Sequence, residues 1–467
     1  MNHAIVDPTA GSVSRNPATG ELIKAYAYQT PDEVEDILVR HAEAAKTWRA
    51  TSMEDRVDCY RRLASTLRDR AEALALLATS EMGKTLRSAR AEVEKCAATL
   101  EWLAKQGPAI LADEPVEAEG GDRIHVSFLP IGSVFGVMPW NFPFWQAMRA
   151  AGPIMLSGNG FILKHAPNVM GCAYALQEAY EASGFPKHLF ANLHITNEIA
   201  ADVIGDPRIA AVTVTGSMRA GSAVASIAGK AMKKSLLELG GADPYIVLAD
   251  ADLDRAIEVG IEARFQNAGQ VCLAAKRFIL ERPIAEEFIR KYVSAAARVK
   301  AGDPLDETTT IGPIARDDLR EAVHDQVQRS IASGATLLLG GKKIDGPGFF
   351  YEPTVLRDVA PGMAAFDEEI FGPVAAMTVA DDLEDAIRLA NTSDYGLSSN
   401  LWTSDTKTAS KIARRLEAGG VFVNGFSASN ARIPVGGVKK SGYGRELSHF
   451  GLREFVNAQS VWIKETG

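Results

Sequence analysis

Apolar positions early in the chain recur at three- and four-residue spacing, the period of a helix with one buried face. Thr30-Pro31-Asp32-Glu33 opens such a run with a capping box and a proline at the first helical position, and Val34, Ile37, Leu38, Ala44, Ala45 and Trp48 follow on one face. The pattern predicts a second helix from near Glu54 to Met82, ended by Gly83. It predicts a third from Thr85 to Gln106, stopped by Gly107-Pro108. Between Asp113 and Leu129 short β-like stretches replace the helical period. Pro115–Glu119 and Arg123–Phe128, joined by Gly120-Gly121, read as a hairpin able to reach another subunit.

Strands and helices then alternate. Val134–Met138, Phe161–Lys164, Leu189–His194 and Ala210–Thr215 read as strands, separated by helices centred near Ala150, Ala175 and Ala200. That order specifies βαβ units, hence a parallel sheet with helices on both faces and ligands beyond the carboxyl ends of its strands. After Gly240-Gly241 a second series begins. Its expected strands are Tyr245–Leu248, Arg277–Glu281, Thr336–Leu339, Ala375–Val379, Ser399–Thr403 and Val421–Asn424, with helices over Asp252–Gln266 and Ile284–Lys300. Near the end, Gln459–Ile463 is strand-like and a candidate to pair with the hairpin.

Composition narrows the classes. A chain of 467 residues, 46% hydrophobic and 23% charged, suits a soluble protein of two or three domains. A net charge of −9 argues against a nucleic-acid surface, which needs a basic footprint. Cys59, Cys96, Cys172 and Cys272 show no CxxC pairing or zinc spacing, and the eight histidines form no metal-binding motif. No apolar run is long enough to span a bilayer, and none follows a basic start at the N-terminus. The expectation is a cytoplasmic, metal-independent protein with no nucleic-acid or membrane partner.

Several short motifs carry candidate chemistry. Cys272 follows Asn267-Ala268-Gly269-Gln270-Val271 and precedes small residues, which leaves room for a carbonyl to approach a sulfur nucleophile. A buried, inert thiol is the alternative. Pro139-Trp140-Asn141-Phe142-Pro143 is a loop stiffened by two prolines, able to aim the Asn141 amide as an oxyanion donor or simply to make a turn. Glu238, in Leu237-Glu238-Leu239-Gly240-Gly241, is a candidate general base if buried and a strand-end surface charge if not. Gly216-Ser217 through Gly221 follows a strand and opens a helix, where free N–H groups suit a pyrophosphate. Lys164 ends a strand, and Glu369, beside Phe371 and Gly372-Pro373, could accept bonds from ribose hydroxyls.

Taken together, Pro139–Pro143, Lys164, Gly216-Ser217 with Gly221, Leu237–Gly241, Gly269–Cys272 and Glu369–Pro373 resemble the motif series of the aldehyde dehydrogenase superfamily, in its order and over nearly the whole chain. Residues 165–172 and 436–450 are similar to the short bacterial succinate-semialdehyde dehydrogenases. The resemblance implies an α/β fold with a Rossmann-type cofactor domain (1–112 and 130–240), a catalytic domain (241–440) and a small β oligomerisation element (113–129 and 441–467) in a homodimer or homotetramer. It implies that Cys272 attacks the aldehyde, that Asn141 holds the oxyanion, and that Glu238 activates water to open the thioester. Trp140, Asn141, Lys164, Gly216, Ser217, Gly221, Leu239, Glu369 and Phe371 would line the cofactor.

In the same resemblance, an arginine eight residues beyond the loop asparagine grips a substrate carboxylate, which here is Arg149. A surface salt bridge is the alternative for it. The second arginine of such members is replaced by Gln266, so Arg264 or a hydroxyl from Ser427 to Ser429 would have to assist. Pro167 replaces the ribose-binding glutamate of many NAD users, with His165 nearby, so NAD or NADP is expected. Ala274 removes the second cysteine of a local redox pair. The alternatives are a dehydrogenase for another small aldehyde with Arg149 structural, and a catalytically idle member kept for binding or structure.

Overall fold

The computed structural model describes residues 10–118 and 122–464. Its centre is two parallel sheets. The first has the spatial order Gly442–Tyr443, Lys234–Glu238, Ile209–Thr215, Ser133–Met138, Gly160–His165, Phe190–Asn192, parallel throughout except for its first strand. The second runs Thr336–Leu339, Thr354–Arg357, Val374–Ala380, Arg277–Glu281, Pro244–Val247, Ser398–Trp402, Gly420–Val423, with only Thr336–Leu339 antiparallel. Their strands are near-continuous apolar runs because helices cover both faces. The largest core cluster joins the helices Met53–Asp69, Ala71–Met82 and Leu86–Ile110 to the helix Pro143–Leu156 under the first sheet.

A third, three-stranded sheet stands apart: Val456–Ile463 pairs antiparallel with Arg123–Pro130, which pairs with Glu114–Val116. The hairpin and the tail strand therefore meet as expected, while Gly120-Gly121 lies outside the described residues. Within 441–467, Gly442–Tyr443 extends the first sheet and Ser448–Glu454 packs on the helices beneath it.

Three elements differ from the periodicity. The helix expected over 54–82 is two, broken at Arg70 (φ −103°, ψ 9°). A single non-helical residue redirects the chain while Leu67 and Leu74 still face one core, so the apolar pattern does not register it. The next helix passes through Gly107-Pro108 and ends at Ile110. Pro108 costs one backbone bond near the helix end, and Gly107, without a side chain, lets Leu156 pack against the turn. The N-terminal region also contains a hairpin, Gly11–Arg15 with Leu22–Ala27, whose second strand is mostly exposed and shows no apolar alternation.

Candidate active site

Asn141 lies just beyond the carboxyl end of Ser133–Met138, in the loop that becomes the helix Pro143–Leu156. That helix start is anchored from below. The Glu92 carboxylate accepts the N–H groups of Phe144 (2.8 Å) and Trp145 (2.9 Å) and forms a fully buried ion pair with Lys84. A carboxylate at a helix N-terminus meets both unpaired N–H groups and the positive dipole end. The Lys84 ammonium also sits 3.8 Å from the Phe142 ring centroid. Asn141 itself is buried; its Nδ2 donates to Gln270 O at 2.9 Å, and its backbone O accepts from Asn267 Nδ2 at 3.0 Å.

The Cys272 loop is locally unusual. Asn267, Ala268 and Gly269 take φ values of 52°, 53° and 73°, three consecutive left-handed residues. For Ala268 that conformation costs about 1–2 kcal/mol, so the surroundings must impose it. Gln270 does part of this, its Oε1 accepting from Ala315 N–H (2.9 Å) and its Nε2 donating to Asn267 O (3.0 Å). Lys276 Nζ donates to the carbonyls of Val271 (3.0 Å) and Cys272 (2.6 Å). The half-buried thiol packs with Phe142, Val271, Leu273 and Leu397.

Glu238 ends the strand Lys234–Glu238 level with Thr215. Its side chain is not on the surface: the residue is 2% exposed, and Oε1 has no hydrogen-bond partner among the described residues. Burial raises its pKa, the Glu446 carboxylate adds to the rise, and Arg149 and Arg445 oppose it. Burial pushes the Cys272 thiol up to about 11, partly offset by Arg149 and Lys276, with Glu238 and Glu369 adding to the rise. Burial thus disfavours the charged form of both groups, which share one cavity.

That cavity, about 230 Å³, is lined by Pro139, Trp140, Asn141, Gln146, Thr215, Gly216, Ser217, Glu238, Leu239, Gly240, Cys272, Leu319, Glu369 and Phe371. A larger cleft of about 480 Å³ between Asn16, Thr79, Asp303 and Phe350 has none of this chemistry. Cys272, Asn141 and Glu238 thus converge from three separate segments, between the carboxyl ends of the first sheet's parallel strands, where α/β proteins bind ligands, and the amino ends of the second's. The same walls fit a dinucleotide. Ser217 caps the helix Met218–Lys230 at its N-terminus, and the space beside Gly216 is open among the described residues. Trp140 and Phe371 meet edge to face at 5.7 Å to make an apolar wall. Glu369 commits Oε1 to Gly241 N–H (3.1 Å) and Lys276 (3.4 Å), leaving Oε2 for a hydroxyl.

Other expected residues stand differently. Lys164, Pro167, Gly221 and Gln266 do not line the cavity. Gly221 acts one layer back, leaving room for the Leu239 side chain. Lys164 lies at the carboxyl end of Gly160–His165, where burial lowers its pKa against the pull of Glu198. Pro167 begins a single 3-10 turn and accepts from Ser12 Oγ at 3.1 Å. His165 turns inward, Nε2 against Pro143 O (2.8 Å) and Nδ1 against Ala166 N–H (2.9 Å), and burial drops its pKa to about 4. It is not available to a 2′-phosphate. Gln266 caps the helix Leu253–Phe265.

Arg149 is no surface residue: it is buried, ion-paired with Glu446, and donates from Nη2 to Thr215 Oγ1 at 3.3 Å. Arg264 is buried, its Nη2 bonded to the carbonyls of Ile370 and Gly372, and it does not line the cavity. Sequence reasoning did not find Glu446, which has no local pattern of its own; residues 436–450 stood out only as a stretch of family likeness.

A cysteine, an amide and a buried carboxylate lining one cavity beside an open helix N-terminus are an arrangement suited to covalent catalysis on a carbonyl. The profile described as the Aldehyde dehydrogenase family matches residues 7–461, and the chain belongs to that family. It is 50% identical to the Escherichia coli K12 protein named succinate semialdehyde dehydrogenase [NAD(P)+] Sad, over 98% of this chain and 99% of that one. It is 45% identical to the Mycobacterium avium succinate-semialdehyde dehydrogenase [NADP(+)], over 96% of each. Among solved structures, the Streptococcus pyogenes succinic semialdehyde dehydrogenase in complex with NADP+ superposes with a TM-score of 0.95 at 35% identity, covering 97% of this chain and 99% of that one.

Proposed function

We propose that this chain oxidises succinate semialdehyde, or a similar short carboxylated aldehyde, to the acid with NAD or NADP. The observation that carries the reading is the convergence of Cys272, Asn141 and Glu238 on one cavity. The names of the E. coli, M. avium and S. pyogenes relatives support the substrate and the cofactors. Cys272 Sγ adds to the aldehyde carbon, and the carbonyl oxygen becomes an oxyanion held by Asn141 Nδ2 and a backbone N–H near Cys272. A nicotinamide supplies the hydride acceptor, and the thiohemiacetal becomes a thioester. Glu238 takes a proton from water as that water adds to the thioester; the C–S bond breaks and Cys272 leaves as thiolate. Lys164 and Pro167 belong to the adenosine side of the site on this reading, and the absence of a carboxylate at Pro167 favours acceptance of either cofactor.

We assign cofactor binding to 1–112 with 130–240, catalysis to 241–440, and self-association in a homodimer or homotetramer to the three-stranded element. The 63% exposure of Trp462 on its outer strand supports the last of these. The four unbridged cysteines support a reducing, cytoplasmic setting.

The test is NADH and NADPH formation with succinate semialdehyde. Cys272→Ala should form neither, and Glu238→Gln should release one equivalent of reduced cofactor per site and then stall. Steady turnover by Cys272→Ala overturns the reading.

A further inference from the structure

Lys276 is a cation only 3% exposed, and its backbone is fixed. Its N–H donates to Asp243 O at 3.0 Å and its carbonyl accepts from Ala376 N–H at 3.2 Å, so the chains on either side in the second sheet hold it. From there the side chain reaches back over the turn that carries Cys272. Nζ donates to Val271 O at 3.0 Å and to Cys272 O at 2.6 Å, and stands 3.4 Å from Glu369 Oε1. Withdrawing an ammonium from water is costly, and an apolar side chain would fill the same space without that cost. The Val271 carbonyl also accepts from Ala274 N–H at 3.1 Å. The other end of the same peptide unit, the Cys272 N–H, donates to no acceptor among the described residues, and Cys272 lines the cavity.

We propose that Lys276 strengthens the Cys272 N–H as an oxyanion donor by polarising the Val271–Cys272 peptide from its carbonyl end. Peptide resonance moves electron density from nitrogen to oxygen. A cation bonded to that oxygen draws the density further, which leaves the N–H a better donor. The charge is bonded to the carbonyl before any substrate arrives, so nothing has to reorganise when an oxyanion forms. Both tetrahedral species of the reaction, the thiohemiacetal oxyanion and the adduct of water with the thioester, would draw on the same donor. Lys276 also acts on the sulfur: with Arg149 it opposes the burial, Glu238 and Glu369 that raise the thiol. Its own charge is met by the carboxylates of Glu369 and Asp243. Lys276 is therefore a positioning residue, reaching the reacting oxygen only through the peptide.

The inference rests on the thioester reading of Cys272, and the experiment keeps the two apart. Lys276→Gln keeps a donor without the charge, Lys276→Met keeps neither, and Lys276→Arg keeps both. Each is assayed for succinate semialdehyde oxidation and, without substrate, for alkylation of Cys272 by iodoacetamide, read by mass spectrometry. Deleting an oxyanion donor outright costs ~10²–10³-fold in kcat. Weakening one, in Lys276→Gln and Lys276→Met, should cost about tenfold in kcat, with the aldehyde KM within about twofold of wild type. Alkylation at about pH 8 should slow by about tenfold in the same two variants, because the thiolate loses a nearby cation. Lys276→Arg should stay near wild type in both assays. The two neutral variants carry the same expectation, so either one that folds is sufficient. Wild-type kcat in a neutral variant, a loss that falls on KM instead, or a Lys276→Arg as impaired as Lys276→Met overturns the role of Lys276, while an inactive Cys272→Ala leaves the thioester reading in place. Steady turnover by Cys272→Ala overturns both.

Discussion

Removing the Lys84 ammonium while keeping its bulk, as in Lys84→Met, should damage both stability and turnover. The Lys84–Glu92 pair has no exposed side-chain surface, and Glu92 also carries the first N–H groups of the helix that follows Asn141. Breaking a buried pair by deleting one partner costs about 3–5 kcal/mol, because the remaining charge stays buried. The cation over the Phe142 ring adds roughly 0.5–2 kcal/mol. The element affected is the start of the Pro143–Leu156 helix, two residues beyond Asn141, the proposed oxyanion donor. A displacement of that donor by an ångström is worth on the order of 10²-fold in kcat. Chemical denaturation followed by circular dichroism, with kcat measured at saturating aldehyde, reads the two effects separately.

The double variant Lys84→Met/Glu92→Gln makes the argument specific. The glutamine oxygen still accepts the Phe144 and Trp145 N–H groups, and no unpaired charge remains, so most of the lost stability should return. Wild-type stability in the single variant, or a double variant no better than the single one, refutes the reasoning.

Two further outcomes follow from the same geometry. Glu446→Gln removes a like charge beside Glu238 and frees Arg149, and both changes lower the raised Glu238 pKa. Because hydrolysis needs the ionised base, the acidic limb of the kcat–pH profile should move to lower pH; a limb that stays put or moves up contradicts the role given to Glu238. Trp462→Glu on the exposed outer strand should shift the protein toward monomers in light scattering, and unchanged mass at the same concentration removes that strand from the assembly interface.

Much of this site is legible in the sequence because its residues sit at strand ends. The apolar runs that end at Met138 and Thr215 announce both the sheet and the positions just beyond it, and Asn141 and Gly216 are found there. Cys272 stands out by its small, amide-rich neighbours, but only the resemblance to the aldehyde dehydrogenase motif series gives it a role. What is not legible is pairing between distant segments. Arg149 with Glu446, and Lys95 with Ser429, join stretches whose local patterns contain no trace of one another. For that reason the burial of Arg149 against Glu446 went unnoticed. The N-terminal hairpin and the break at Arg70 escape for a local reason: an exposed strand lacks alternation, and a one-residue kink leaves the apolar period intact.

The two hydrogen bonds between Asn141 and the Asn267–Gln270 turn have a mechanical meaning. They stitch the loop of one sheet to the loop of the other, beside the proposed nucleophile Cys272 and oxyanion donor Asn141. Any breathing of the cleft to admit or release a dinucleotide must pivot about this seam rather than part it.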